Sequence, residues 1–178
     1  SGTRYECNIT STDSRPGIRT ADDLIDFSRL INGYEPLTVG RTLDDFGEMI
    51  NGVMTYRLLA DIVLTEEDCS KLAPIGEDDG RSNTDTYFYD TFDGEGHTIS
   101  NLILSDKIPN KETGYSGLFG HVEETGIVKN VHINNASSVT SPICKFIGVI
   151  AAYNDGRIDN CSVSNSTLYS MKEGRIGT

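Results

Sequence analysis

Ser116-Gly-Leu-Phe-Gly-His-Val-Glu-Glu-Thr-Gly-Ile-Val-Lys-Asn-Val-His-Ile-Asn-Asn-Ala136 and Ile147-Gly-Val-Ile-Ala-Ala-Tyr-Asn-Asp-Gly-Arg-Ile-Asp-Asn-Cys-Ser-Val-Ser-Asn-Ser166 are near-copies of one another. Gly117 aligns with Gly148. Dropping one residue in the turn then aligns Gly126 with Gly156, Asn130 with Asn160, Ile133 with Val163 and Asn135 with Asn165. The period is about 30 residues, and a third copy starts at Gly174-Arg-Ile-Gly177. Each copy reads as strand, tight turn, strand, turn. Val131 and Ile133, like Cys161 and Val163, lie two apart and so share the inner face, while His132 and Ser162 point out. One such unit cannot bury its inner face alone. Copies wound as successive rungs bury a continuous spine and pair each strand edge with the next. The recurrent asparagines then stack as hydrogen-bonded amide ladders. Gly126 and Gly156 are expected to supply positive-φ corners.

Upstream of the repeat, Thr20 with Asp23 forms a near capping box. Leu24, Phe27, Leu30 and Ile31 follow at helical spacing, and Asn32-Gly33 ends the run. This predicts a helix from Thr20 to about Ile31 that covers the open end of the core. Thr42 to Gly52 repeats the pattern with a less regular interior and predicts a second short helix. Tyr56 to Leu64 predicts a strand, and Thr65 to Gly80 an acidic loop. Beyond the Met49 region the pattern predicts strands and turns only. The expected organisation is an N-terminal extension (1–17), a helical cap (18–55) and a β-repeat region (56–178) that stops inside a repeat.

At these residues the chain resembles the GLUG-motif repeats of bacterial secreted and surface proteins. The motif stands here as Ser116-Gly-Leu-Phe-Gly120 with Gly126-Ile-Val-Lys-Asn-Val131. It recurs as Ile147-Gly-Val-Ile-Ala151 with Asn154-Asp-Gly-Arg-Ile-Asp-Asn-Cys161. Ala21–Phe27, Ala73-Pro-Ile-Gly76 and Thr91–Leu102 match the leading part of such proteins. The second copy departs from the pattern, with Ala151 where a second glycine is expected. The resemblance implies a mainly β fold, a right-handed parallel β-helix (β-solenoid) with an N-terminal capping helix. It also implies a location outside a bacterial cell, with no common catalytic residues. Related repeats precede the metalloprotease domain of bacterial immunoglobulin A proteases, and this chain holds no His-Glu-x-x-His for that chemistry.

Composition narrows the partners. The 178 residues carry 15 Lys and Arg against 27 Asp and Glu, a net charge of -12. With no basic cluster, this argues against nucleic acid, whose phosphates need a positive footprint. No apolar run approaches the length of a membrane span. The expected partners are a host or glycan ligand and further solenoid repeats C-terminal in the parent protein. No cofactor and no metal site are expected. The four cysteines (Cys7, Cys69, Cys144, Cys161) form no Cys-x-x-Cys pair, and His97, His121 and His132 are not spaced as ligands around them. Two disulfides in any of three connectivities, or buried free thiols, both remain open.

The tightest polar cluster is Asp90, Asp93, Glu95 and His97. Paired carboxylates in a groove serve sugar cleavage, whereas Asp-Gly-Glu-Gly is also ordinary turn chemistry. The acidic loop with Glu77, Asp78, Asp79 and Asp85 reads as solvated. His121 aligns with Ala152 and His132 with Ser162, so both are expected to be exposed rather than catalytic. Tyr87, Tyr89, Tyr115, Tyr153 and Tyr169 suit either packing or a sugar-stacking face. The sequons at Asn8, Asn135, Asn160 and Asn165 are unremarkable in a chain this rich in Asn, Ser and Thr. The expectation is thus a non-catalytic extracellular display, adhesion or stalk module. The alternatives are a carbohydrate-active β-helix enzyme and an accessory region of a large secreted protease.

Overall fold

A computed structural model describes residues 13–77, 86–105, 107–108, 111–112, 114–139, 144–169 and 175–177. Helix α1 (Ala21–Ile31) starts at the Thr20/Asp23 capping box, in which each side chain accepts from the other residue's backbone N–H. Its apolar face carries Leu24, Ile25 and Phe27, all fully buried. A single 3-10 turn (Leu43–Asp45) leads into the hairpin of β1 (Gly47–Ile50) and β2 (Val53–Arg57). The expected second helix is therefore incorrect. Asn51 and Gly52 both have positive φ, 51° and 83°. They form the tight turn that matches strand twist rather than a helix end.

The predicted strand at 56–64 is likewise split, into β2 and β3 (Ile62–Val63), and the chain then enters helix α2 (Glu66–Lys71). This helix falls where a loop was expected. Thr65 and Asp68 form a second capping box, and the single buried residue, Cys69, is too little apolar patterning to announce it. The remaining elements are strands: β4 (Thr91–Asp93), β5 (Thr98–Ser100), β6 (Ile103–Leu104), β7 (Lys107–Ile108), β8 (Lys111–Glu112), β9 (Tyr115–Ser116), β10 (Phe119–Val122), β11 (Ile127–Lys129), β12 (His132–Asn134), β13 (Ser137–Ser138), β14 (Phe146–Gly148), β15 (Ala151–Asn154), β16 (Arg157–Asp159), β17 (Ser162–Ser164) and β18 (Arg175–Gly177).

The molecule is mainly β, with parallel sheets and no barrel among the described residues. Strands β2, β4, β11 and β16 lie side by side in parallel, and so do β3, β5, β12 and β17. The only antiparallel strand pairs described are the hairpins β1–β2 and β7–β8. The registers stack like on like. Tyr56, Phe92, Val128 and Ile158 form one inner column; Ile62, Ile99, Ile133 and Val163 form another. The first three members of each column are buried, whereas Ile158 and Val163 are each 36% exposed. At the other end Phe27 of α1 meets Phe46, Tyr56 and Phe92, with ring centroids 5.9, 4.8 and 5.7 Å away. The helix thus closes that end of the core. Ile147 pairs with Ser116 on one side and with Ile176 on the other, which places the third copy in the same ladder.

The corners differ from the expectation. Positive φ falls on asparagine, at Asn101, Asn130, Asn135, Asn160 and Asn165, and not on Gly126 or Gly156. Those glycines serve close approach instead. A Cβ on Gly126 would lie 2.5 Å from the Phe88 carbonyl oxygen, and one on Gly156 would lie 2.3 Å from that of Gly126. Asparagine tolerates the left-handed region and contributes its amide. Asn160 donates to Asn130 Oδ1 at 2.8 Å, and Asn130 donates to Asp93 Oδ1 at 2.9 Å. Asn135 donates to Asn101 Oδ1 at 2.8 Å, and Asn165 to Asn134 Oδ1 at 2.9 Å. Among the described residues no helix is long and apolar enough to cross a membrane.

Candidate functional site

Strands β10 and β15 pair with Phe119 facing Ala151 and His121 facing Tyr153. The alignment of His121 with Ala152 is therefore off by one. Val122 pairs with Asn154, and Ile127 with Arg157. The first copy spends four residues (123–126) on a turn that the second completes in two (155–156). Asp155 directly follows β15 as Glu123 follows β10, so the parallel register lays it beside Glu123; its N–H donates to the Val122 carbonyl at 2.9 Å, just as the Glu123 N–H donates to that of Phe88 at 2.8 Å. His121, expected to be exposed, is 7% exposed. Its Nε2 lies 3.3 Å from Asp155 Oδ2 and 3.5 Å from Glu123 Oε2. The imidazole is held between the rings of Tyr87 and Tyr153, at 4.2 and 4.7 Å. Tyr153 continues the row to Phe146 and Tyr115, at 5.6 and 6.4 Å, and those two rings stack at 5.1 Å. Five aromatic rings thus follow one another across neighbouring rungs.

A cleft of about 550 Å³ adjoins this row, between the end of α1 and the segment before β4. Tyr56, Tyr87, Phe88, Tyr89, Asp90 and Glu123 line it with apolar residues of α1. The volume is in the range of small-molecule and sugar sites. Glu123 and Tyr87 belong both to the cleft and to the surroundings of His121. At its wall the Tyr56 hydroxyl donates to Asp90. Burial pushes the Tyr56 phenol well above its usual range, and the Asp90 and Tyr89 charges add to that. Burial also pushes the Asp90 carboxyl up, against the Tyr56 hydrogen bond. Tyr89 stands 62% exposed at the mouth.

The fold scatters the other sequence candidates. Glu95 accepts from Arg15 at 2.6 and 2.8 Å and lies 3.4 Å from Arg57, tying the segment before α1 and strand β2 to the turn after β4. Asp93 accepts from Asn130 and from the Glu95 N–H, and pairs with Lys129 at 3.1 Å. Burial raises its pKa, but those donors outweigh it and hold the carboxyl below its usual range. His97 sits 3.2 Å from Asp61. Only Asp90 of that cluster reaches the cleft. His132 contacts Ser162 Oγ at 2.7 Å along the ladder. Cys69 and Cys161 are free thiols. Cys7, Asn8, Asp78, Asp79 and Asp85 lie outside the described residues. Glu123, Asp155 and Tyr56 were not singled out from the sequence. The repeat alignment hides Asp155, because it sets His121 against Ala152 where the strands pair it with Tyr153.

No protein-family profile matches the chain. A relative, "Halomucin" of Haloquadratum walsbyi, is 32% identical over 131 residues, 70% of this chain. The chain spans about 1% of that relative's length. A crystal structure of a Bacteroides ovatus protein, provisionally assigned as an immunoglobulin A1 protease, aligns with 93% of this chain and 46% of its own. Identity there is 22% and the TM-score 0.46, too distant a likeness to bear on fold or chemistry.

Proposed function

We propose that this chain is a non-catalytic glycan-recognition module of a long secreted or cell-surface protein, built as a right-handed parallel β-solenoid with a cap at 18–55. The observation that carries the reading is the aromatic row from Tyr87 to Tyr115 beside the carboxylate-lined cleft. Ring faces stack on the apolar faces of sugars, and carboxylates accept their hydroxyls. The half-exposed column ends at Ile158 and Val163 support further solenoid repeats packing there, since a repeat surface is buried by the next copy. A relative that matches over about 1% of its length suits a module inside a much longer protein. The net charge of -12 favours neutral or cationic ligands over acidic ones. A glycan array with the whole chain tests the reading. Binding should weaken at least tenfold in Tyr89→Ala and in Tyr153→Ala. A blank array, or binding indifferent to both substitutions, removes it.

One observation favours a second reading, carbohydrate cleavage. Asp90 and Glu123 line the same cleft, and sugar hydrolysis uses a pair of carboxyl groups that flank the scissile bond. New reducing ends from a polysaccharide, abolished in Asp90→Asn, would establish it; binding without product leaves the recognition role.

A further inference from the structure

Among the described residues, one group of three metal-ligating side chains brings its donor atoms within 4.8 Å of one another: His121, Glu123 and Asp155. We propose that it is a binding site for a first-row divalent cation, with zinc as the fitting probe. The argument begins with the separations. Ligands held about 2.1 Å from a tetrahedral ion lie about 3.4 Å from each other. Nε2 of His121 lies 3.3 Å from the Asp155 oxygen and 3.5 Å from the Glu123 oxygen. Two of the three edges of such a coordination face are already in place. The third closes by rotation of two carboxylates that are 41% and 49% exposed.

The second argument is hydrogen-bond accounting. Two carboxylate oxygens converge on one ring nitrogen, which carries at most one proton. That proton cannot serve both acceptors well, whereas a cation satisfies all three donors together. The third argument is rigidity. His121 is buried on β10 and fixed between Tyr87 and Tyr153, so its ring orientation is set before any ion arrives. A nitrogen with two carboxylates selects an ion of the zinc type over magnesium or calcium, which prefer all-oxygen shells of six or more. Three protein ligands leave a fourth position for water or a bound group. Because Glu123 also lines the cleft, the ion would stand at its edge. The inference is independent of glycan recognition, and a blank glycan array leaves it intact.

The test is zinc titration of the whole chain with all four cysteines replaced by serine, so that thiols cannot bind the ion. Calorimetry should give one ion per chain, and zinc should raise the melting temperature in proportion to log concentration above Kd. Glu123→Gln and Asp155→Asn, on exposed side chains that leave the core untouched, should each weaken affinity at least tenfold; the double variant should show no shift. Cobalt should give the intense visible spectrum of a tetrahedral ion, lost in the double variant. His121→Gln should behave like the double variant, with circular dichroism reporting its fold. If His121→Gln fails to fold, the two carboxylate variants carry the decision. No zinc-dependent shift up to millimolar ion, or a shift unchanged in the double variant, overturns the proposal.

Discussion

Asn130 shows how one residue type can serve twice at a corner. Its φ of 56° places it where most side chains are strained, and its amide both accepts from Asn160 and donates to Asp93. Asn130→Gly keeps the backbone conformation and loses the ladder; Asn130→Ala loses both. Urea melts should therefore rank the alanine variant as the less stable, with a loss of about 1–3 kcal/mol. Equal losses would mean that the backbone conformation contributes nothing. Gly156 presents the opposite case. Its dihedrals suit any residue, but a Cβ would meet backbone oxygens of Gly126 and Glu123 at 2.3 and 2.4 Å. Gly156→Ala should cost about 1–3 kcal/mol through overpacking of main chain.

Helix α1 is the element that ends the core, and the Asp23 carboxylate at its N-terminus makes its stability depend on pH. Burial pushes the Asp23 carboxyl up. The Arg19 backbone N–H, the Arg41 guanidinium and the Thr20 hydrogen bond more than offset this, and its pKa is lowered below 3.8. A carboxyl depressed on folding contributes stability that is fully present above its unfolded pKa. That stability is lost as pH falls through the folded value, so this window lies below about pH 4. Arg41→Gln should move the acid-unfolding midpoint to higher pH, read by circular dichroism. An unchanged midpoint would show that the pair does not hold the helix. Thr20→Ala removes one half of the capping box and should cost about 1 kcal/mol at neutral pH. Phe27→Ala strips the ring that meets Phe46, Tyr56 and Phe92, and should cost about 3–5 kcal/mol.

For the whole molecule, stability should run as a gradient across the parallel sheets, because among the described residues β16 and β17 are edge strands paired on one side only. Ile133 and Val163 occupy equivalent register positions, yet one is 1% exposed and the other 36%. Ile133→Ala should cost about 2–5 kcal/mol, whereas Val163→Ala should cost under about 1 kcal/mol. Amide exchange should be slowest in β4, β5, β11 and β12 and fastest in β16 and β17. Uniform protection would mean that the rungs unfold as one cooperative unit.

The internal repeat by itself determined that strands about 30 residues apart would pair, and the Thr20 pattern by itself determined α1, because both are written in local periodicity. Asn130 and Asn160 were visible as partners for the same reason. Helix α2 was not legible, since its six residues bury only Cys69 and carry no apolar stripe. The hairpin at Asn51-Gly52 is not legible because Asn-Gly ends helices and turns hairpins alike; pairing of β2 with β4 makes the choice. The candidate site belongs to tertiary structure alone. Asp155 meets His121 because the register sets Tyr153 opposite His121, which lays the residue after β15 beside Glu123. That register exists only when the two strands are laid side by side, where β10 on β15 fixes which side chains share a face.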